Sequence, residues 1–120
     1  MFNISTVSLD SGTIVLCVTG EVDMATAPEL LTATRAALAE GGRRSVRWLR
    51  VDLAGVPFLD SSGAHTLIAS REEAGRRGVG LAVANPQPHV QRVLQLMGLD
   101  DLIDTSSHRP SDAAGGTVQL

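Results

Sequence analysis

Short β-prone runs separated by helical stripes succeed one another along this chain, and that alternation constrains the fold more than any other feature. Thr13-Ile14-Val15-Leu16-Cys17-Val18-Thr19 is a β-branched run that reads as a buried strand. Ahead of it, Ile4 to Leu9 alternates unevenly and reads as an edge strand, and Asp10-Ser11-Gly12 is the turn that joins the two as a hairpin. The next pattern is helical. Thr26 suits an N-cap, Pro28 suits the first turn, and Ala27, Leu30, Leu31 and Leu38 fall on one stripe. Thr34 interrupts that stripe at its middle, and Gly41-Gly42 stops the helix.

Trp48 to Leu53 is the next run, with Trp48, Val51 and Leu53 as its largest apolar side chains. Asp60-Ser61-Ser62-Gly63 then opens a second helix. Its inner face is Ala64, Leu67, Ile68 and Ala74, its outer face is Arg71, Glu72, Glu73, Arg76 and Arg77, and Gly78 ends it. Leu81-Ala82-Val83-Ala84 is short and wholly apolar, the pattern of a strand inside a sheet covered on both faces. After the turn Asn85-Pro86-Gln87-Pro88, the residues Val90, Val93, Leu94 and Met97 form a strict helical stripe stopped by Gly98. Leu99, Leu102 and Ile103 add a last apolar segment. The order of elements predicts a small α/β domain with one main sheet.

Composition narrows the function classes. A chain of 120 residues suits one domain that buries roughly two-thirds of its unfolded surface. Beyond Asp104 the sequence turns to Ser, Gly, Pro and Ala, so residues 1–104 are read as the folded domain and 105–120 as a disordered C-terminal tail. The tail is neutral, Arg109 against Asp112, so the net charge of −3 belongs to the body. Cys17 is the single cysteine, which excludes an intrachain disulfide and a multi-cysteine metal site; its place in a strand reads as a buried core thiol. Every basic residue is Arg, which excludes lysine Schiff-base chemistry and a phosphate-binding loop ending in Gly-Lys. The acidic balance and the scarcity of aromatics (Phe2, Trp48 and Phe58) argue against direct nucleic-acid binding. No apolar run is long enough to span a bilayer and the N-terminus does not read as a signal peptide, so the expectation is a cytoplasmic protein without membrane insertion. His89 and His108 stand alone, and no metal site is expected.

Two stretches could carry chemistry. Val51 to Gly63 runs from a strand through a loop that delivers two hydroxyls to a helix start, a position receptive to an anion. Taken alone, those residues favour a plain N-cap: Asp60 or Ser61 caps, Ser62 fills the first turn and Gly63 permits close packing. Glu21-Val22-Asp23 also ends a strand ahead of a helix. Such ends share one edge of an α/β sheet, which puts Asp23 near Ser61; a turn acid that starts the helix is an equal reading. His65, one helical turn beyond Ser61 and Ser62, invites a Ser–His–Asp hydrolase reading. The chain has no Gly-x-Ser-x-Gly elbow and little length left for a substrate pocket, so no catalytic residue is assigned and His65 is read as solvated. Arg43, Arg44, Arg47 and Arg50 form a basic cluster read as a solvated loop.

Gly20-Glu21-Val22-Asp23 is followed by Ala25-Thr26-Ala27, and about 35 residues later comes Phe58-Leu59-Asp60-Ser61-Ser62-Gly63. Together these resemble the two signatures of the STAS domain, specifically of the bacterial anti-sigma factor antagonists. The resemblance runs from Thr13 to Ile103 and takes in the Val83-Ala84-Asn85-Pro86 turn, the Val90-Gln91-Arg92-Val93-Leu94 helix and Gly98-Leu99. It implies an α/β fold with a single mixed β-sheet of four to five strands in sequential order and about four helices packed against it. It also implies a partner switch without catalysis or cofactor. The unphosphorylated protein would bind an anti-sigma factor with ATP-dependent serine kinase activity and release the sigma factor. Phosphorylation at Ser61 would switch it off, and a phosphoserine phosphatase would reset it. On this resemblance the partner-binding residues are Asp23, Asp60, Ser61, Ser62 and Gly63. The alternative is a STAS-domain structural subunit of a lipid-transporting ATP-binding-cassette complex or of a stress-signalling assembly. Many relatives carry a large aliphatic residue after the Gly of Asp-Ser-Ser-Gly; here Ala64 and His65 follow, which thins the apolar surface beside the site.

Overall fold

The structure is a computed structural model that describes residues 1–9, 12–41 and 45–104. Strands β1 (Asn3–Leu9) and β2 (Thr13–Thr19) come first, then helix α1 (Ala27–Gly41), β3 (Trp48–Gly55), α2 (Ser61–Gly75), β4 (Gly80–Ala84) and α3 (Pro88–Leu96). A 3₁₀ turn over Asp100–Leu102 follows. The strands lie in the order β1-β2-β3-β4. β1 runs antiparallel to β2, with Asn3 opposite Thr19 and Leu9 opposite Thr13. The other two pairings are parallel, with Thr13 opposite Trp48 and Trp48 opposite Gly80. The expected mixed sheet in sequential order is therefore present. Each parallel step needs a long crossover, which α1 and α2 supply.

Period 2 sorts the strand residues between the faces. Ile14, Leu16 and Val18 from β2, Leu49, Val51 and Leu53 from β3, and Leu81 and Val83 from β4 are buried on one face. They form one core with Leu30 and Leu38 of α1, Leu67 and Ala74 of α2, and Val90 and Leu94 of α3. α3 stops where the sequence predicts: Gly98 takes φ +72°, and Leu99 N–H reaches back to the Leu94 carbonyl at 2.8 Å.

The opposite face of the sheet is open, and this corrects several expectations. By register it carries Val7, Val15, Arg50 and Ala82 in one row and Leu9, Thr13, Trp48 and Gly80 in the next. Trp48 is 51% exposed there, and its neighbour Leu49 takes the inward place. Cys17 is half-buried on the same face instead of lying in the core. β4 is an edge strand, not an interior one. Its outer edge is met by the chain after the 3₁₀ turn, through a bridge between Val83 and Ile103 and a 2.8 Å bond from Asp104 N–H to the Val83 carbonyl. That covered edge, with only one face in the core, is what a short all-apolar run came to serve. Arg50 points from β3 to Asp104 at 3.2 Å and is no part of a loop cluster; Arg47 is exposed, and Arg43 and Arg44 lie outside the described residues. The Asp10-Ser11 part of the hairpin turn, Gly42 and the expected tail at 105–120 also lie outside them. In α2, Ile68 is half-buried and Ser70 takes a fully buried place.

Candidate functional site

The two sequence stretches that carried chemistry meet beyond the carboxyl ends of β2 and β3. Val22 N–H donates to the Phe58 carbonyl at 2.9 Å, and Asp60 N–H donates to the Val22 carbonyl at 3.2 Å. Val22 and Leu59 thereby form a parallel bridge, and both are fully buried. This pairing brings the Glu21–Asp23 segment against the Phe58–Asp60 segment, on the sheet edge the two loops share. Gly63 closes the joint from the helix side. A Cβ there would lie 2.9 Å from both Leu59 Cγ and Val22 Cγ1 and 3.1 Å from the Val22 carbonyl oxygen, so only glycine lets α2 approach this closely.

The capping roles separate cleanly. Asp60 has extended backbone (φ −102°, ψ −173°), and its Oδ1 accepts from Gly63 N–H at 3.1 Å. Asp60 is thus the N-cap of α2, which leaves Ser61 exposed at the first helical position and Ser62 half-buried beside it. Neither serine hydroxyl bonds to His65 or to a carboxylate among the described residues, so no nucleophile–base pair is assembled there.

Asp23 is occupied with its own loop. Its Oδ1 accepts from Ala25 N–H at 3.0 Å and Thr26 N–H at 3.1 Å. Thr26 Oγ1 accepts in return from Asp23 N–H at 3.0 Å and donates to the Glu21 carbonyl at 2.8 Å. The exchange is the reciprocal bonding of a capping box, so the acid that starts the turn is Asp23, and the Thr26 hydroxyl ties the loop backwards.

A third loop joins the same edge, and this was not visible in the sequence. Gln87 Nε2 donates to the Ala54 carbonyl at 2.8 Å, and Asn85 Nδ2 donates to Asp52 Oδ2 at 3.2 Å. These bonds hold the start of α3 against the end of β3. His89 of α3 then stacks on Phe58, with ring centroids 5.6 Å apart and planes 15° from parallel. No local pattern marks a pairing between two loops this far apart in the chain. The resulting edge combines exposed apolar groups (Met24 at 76% and Phe58 at 39%) with the acidic residues Glu21, Asp23 and Asp60 and the exposed Ser61. Among the described residues no group of three His, Cys, Asp or Glu side chains is placed to hold a metal, and no helix is long and apolar enough to cross a membrane.

The family model of the STAS domain matches residues 6–111. The chain belongs to the STAS domain family. Within it, this STAS protein groups with the anti-sigma factor antagonists. It is 30% identical over 90 residues to the anti-sigma-B factor antagonist of Bacillus subtilis (strain 168), a match covering 75% of this chain and 78% of that protein. It is 26% identical over 107 residues to the anti-sigma F factor antagonist of Lysinibacillus sphaericus, covering 88% of this chain and 89% of the relative. Among solved structures, an anti-sigma factor antagonist from Mycobacterium paratuberculosis is 35% identical and superposes with a TM-score of 0.73, covering 86% of this STAS protein and 83% of that chain.

Proposed function

We propose that this STAS protein is a non-catalytic, cytoplasmic anti-sigma factor antagonist whose working unit is residues 1–104. Its unphosphorylated form binds an anti-sigma factor that is also an ATP-dependent serine kinase, and so releases the sigma factor. Phosphorylation at Ser61 switches it off, and a phosphoserine phosphatase resets it. Asp23, Asp60, Ser61, Ser62 and Gly63 belong to the docking edge.

The observation that carries this reading is the division of labour between Asp60 and Ser61. Because Asp60 caps α2, the exposed Ser61 hydroxyl has no duty to the fold. In the transfer, the Ser61 Oγ–P bond forms as the bond from the γ-phosphorus to the ADP oxygen breaks, and the hydroxyl proton passes to a base of the kinase. The product carries a charge of roughly −1.5 to −2 at a helix start, where the dipole favours an anion by about 0.3–1 kcal/mol. The fold therefore tolerates the group. A partner surface built for the hydroxyl does not: one added negative charge about 5 Å from another costs about 3 kcal/mol at an effective dielectric of 20, over a hundredfold in affinity.

Incubating the protein with its cognate anti-sigma kinase and ATP, then mapping the product by mass spectrometry, tests the assignment. The expected results are phosphate on Ser61, near-parental binding by Ser61→Ala and a loss of about a hundredfold in Ser61→Asp. No phosphate on Ser61, with undiminished binding by Ser61→Asp, overturns it.

A further inference from the structure

A phosphoryl group on Ser61 would enter an acidic neighbourhood. Asp60 sits immediately before it with Oδ1 already holding the Gly63 amide, so that donor is taken. Glu21 and Asp23 lie on the adjoining loop, held there by the Val22–Leu59 bridge. A cation close by would offset part of the added charge. Arg71, the other basic side chain of α2, lies far along the helix and bonds Asp101 at 3.2 Å. His65 is nearer. Ser61, His65 and Glu72 are exposed along one side of α2, at intervals of four and seven residues, while Gly63, Ala64, Leu67, Ser70 and Ala74 are buried on the other. Residues four apart are neighbours on a helix surface, and a helical side chain leans back over the turn that precedes it. His65 therefore sits one turn beyond Ser61 on the same exposed side of α2.

We propose that His65 is the phosphate-holding residue of the modified protein, its imidazolium pairing with the phosphoryl group on Ser61 across one turn of α2. The inference rests on the reading of Ser61 as the phosphosite. It gives His65 a positioning role in the switched-off state, where the hydrolase reading gave it a catalytic one. A phosphoserine takes up its second proton near pH 6, so a donor held beside it is read directly in the phosphate's own titration. Near the start of α2 lie Asp60, its cap, and the loop of Glu21 and Asp23 bridged to Leu59; His89 stacks on Phe58 at the start of α3, and Glu72 is exposed two turns further along α2.

The test uses the full chain with phosphoserine installed at position 61 during translation, so that it does not depend on a kinase. The phosphorus resonance is titrated in the parent and in His65→Gln, His65→Arg and His89→Gln. His65→Gln is expected to raise the titration midpoint by about half a pH unit, and His65→Arg to keep it low. His89→Gln leaves it unchanged. A midpoint indifferent to His65→Gln overturns the pairing, and so does a rise seen in His89→Gln instead, which would put the phosphate against α3. The kinase assay above decides separately whether Ser61 is the acceptor, so the two readings fail in distinguishable ways.

Discussion

Thr34 Oγ1 of α1 lies 3.1 Å from Ser70 Oγ of α2, and both residues are fully buried where the two helices meet. Thr34 has one hydroxyl proton and gives it to the Leu30 carbonyl at 3.0 Å, so Ser70 donates to Thr34. That order makes the pair asymmetric. Thr34→Val removes the acceptor of a buried hydroxyl and is expected to cost about 1–2 kcal/mol, whereas Ser70→Ala leaves Thr34 satisfied by Leu30 and costs less. Adding Ser70→Ala to Thr34→Val should recover part of the loss. Urea denaturation of the four proteins checks this; additive costs would show that the hydroxyls are not coupled.

Gly63→Ala places a methyl against Leu59, Val22 and the Val22 carbonyl. Overpacking of this kind costs about 1–3 kcal/mol, against about 1 kcal/mol regained from helix propensity. A net fall in melting temperature is expected. Faster hydrogen exchange at the Val22 and Asp60 amides should accompany it, because those amides form the bridge that the methyl would prise apart.

Asp60 separates structure from recognition. Asp60→Ala should destabilise by about 1 kcal/mol through loss of the cap, while Asp60→Asn, an equally good cap, should stay within about 0.5 kcal/mol of the parent. If both variants melt like the parent, the bond from Gly63 N–H to Asp60 contributes nothing to stability. Binding measured on the asparagine variant then reports on the carboxylate charge alone.

Cys17 should react with a small maleimide in the native protein, without denaturant, because it is half-buried on the open face of the sheet. Labelling should be slower than in the unfolded chain yet complete. Labelling that follows only global unfolding would place the thiol in the core.

Much of this was legible beforehand because it is local. The β1–β2 pair, the stop of α3 at Gly98 and the cap of α2, narrowed to Asp60 or Ser61, follow from residues close in the chain, and the meeting of the loops after β2 and β3 follows from connectivity. What escaped depends on neighbours distant in sequence. Thr34 reads as a gap in a stripe until Ser70 faces it. Leu81 to Ala84 reads as an interior strand because nothing local reveals that Ile103 and Asp104 return to cover one edge. Trp48 is the largest apolar residue of its strand, but alternation with Leu49 turns it outward, and size gives no vote on face. Phe58 and His89 met only when two loops were brought together.

The bridge between Val22 and Leu59 is made by backbone atoms, so its register does not depend on which apolar side chains fill the two buried positions. What it holds constant is a count. Inserting one residue between Gly20 and Val22, or between Gly55 and Leu59, would shift one signature past the other by about 3.3 Å and turn its side chains to the opposite face. The turn between α1 and β3 lies outside both counted stretches, so the joint itself sets no limit on its length. The joint works as a ruler laid across two loops, strict about the number of residues on each side of it.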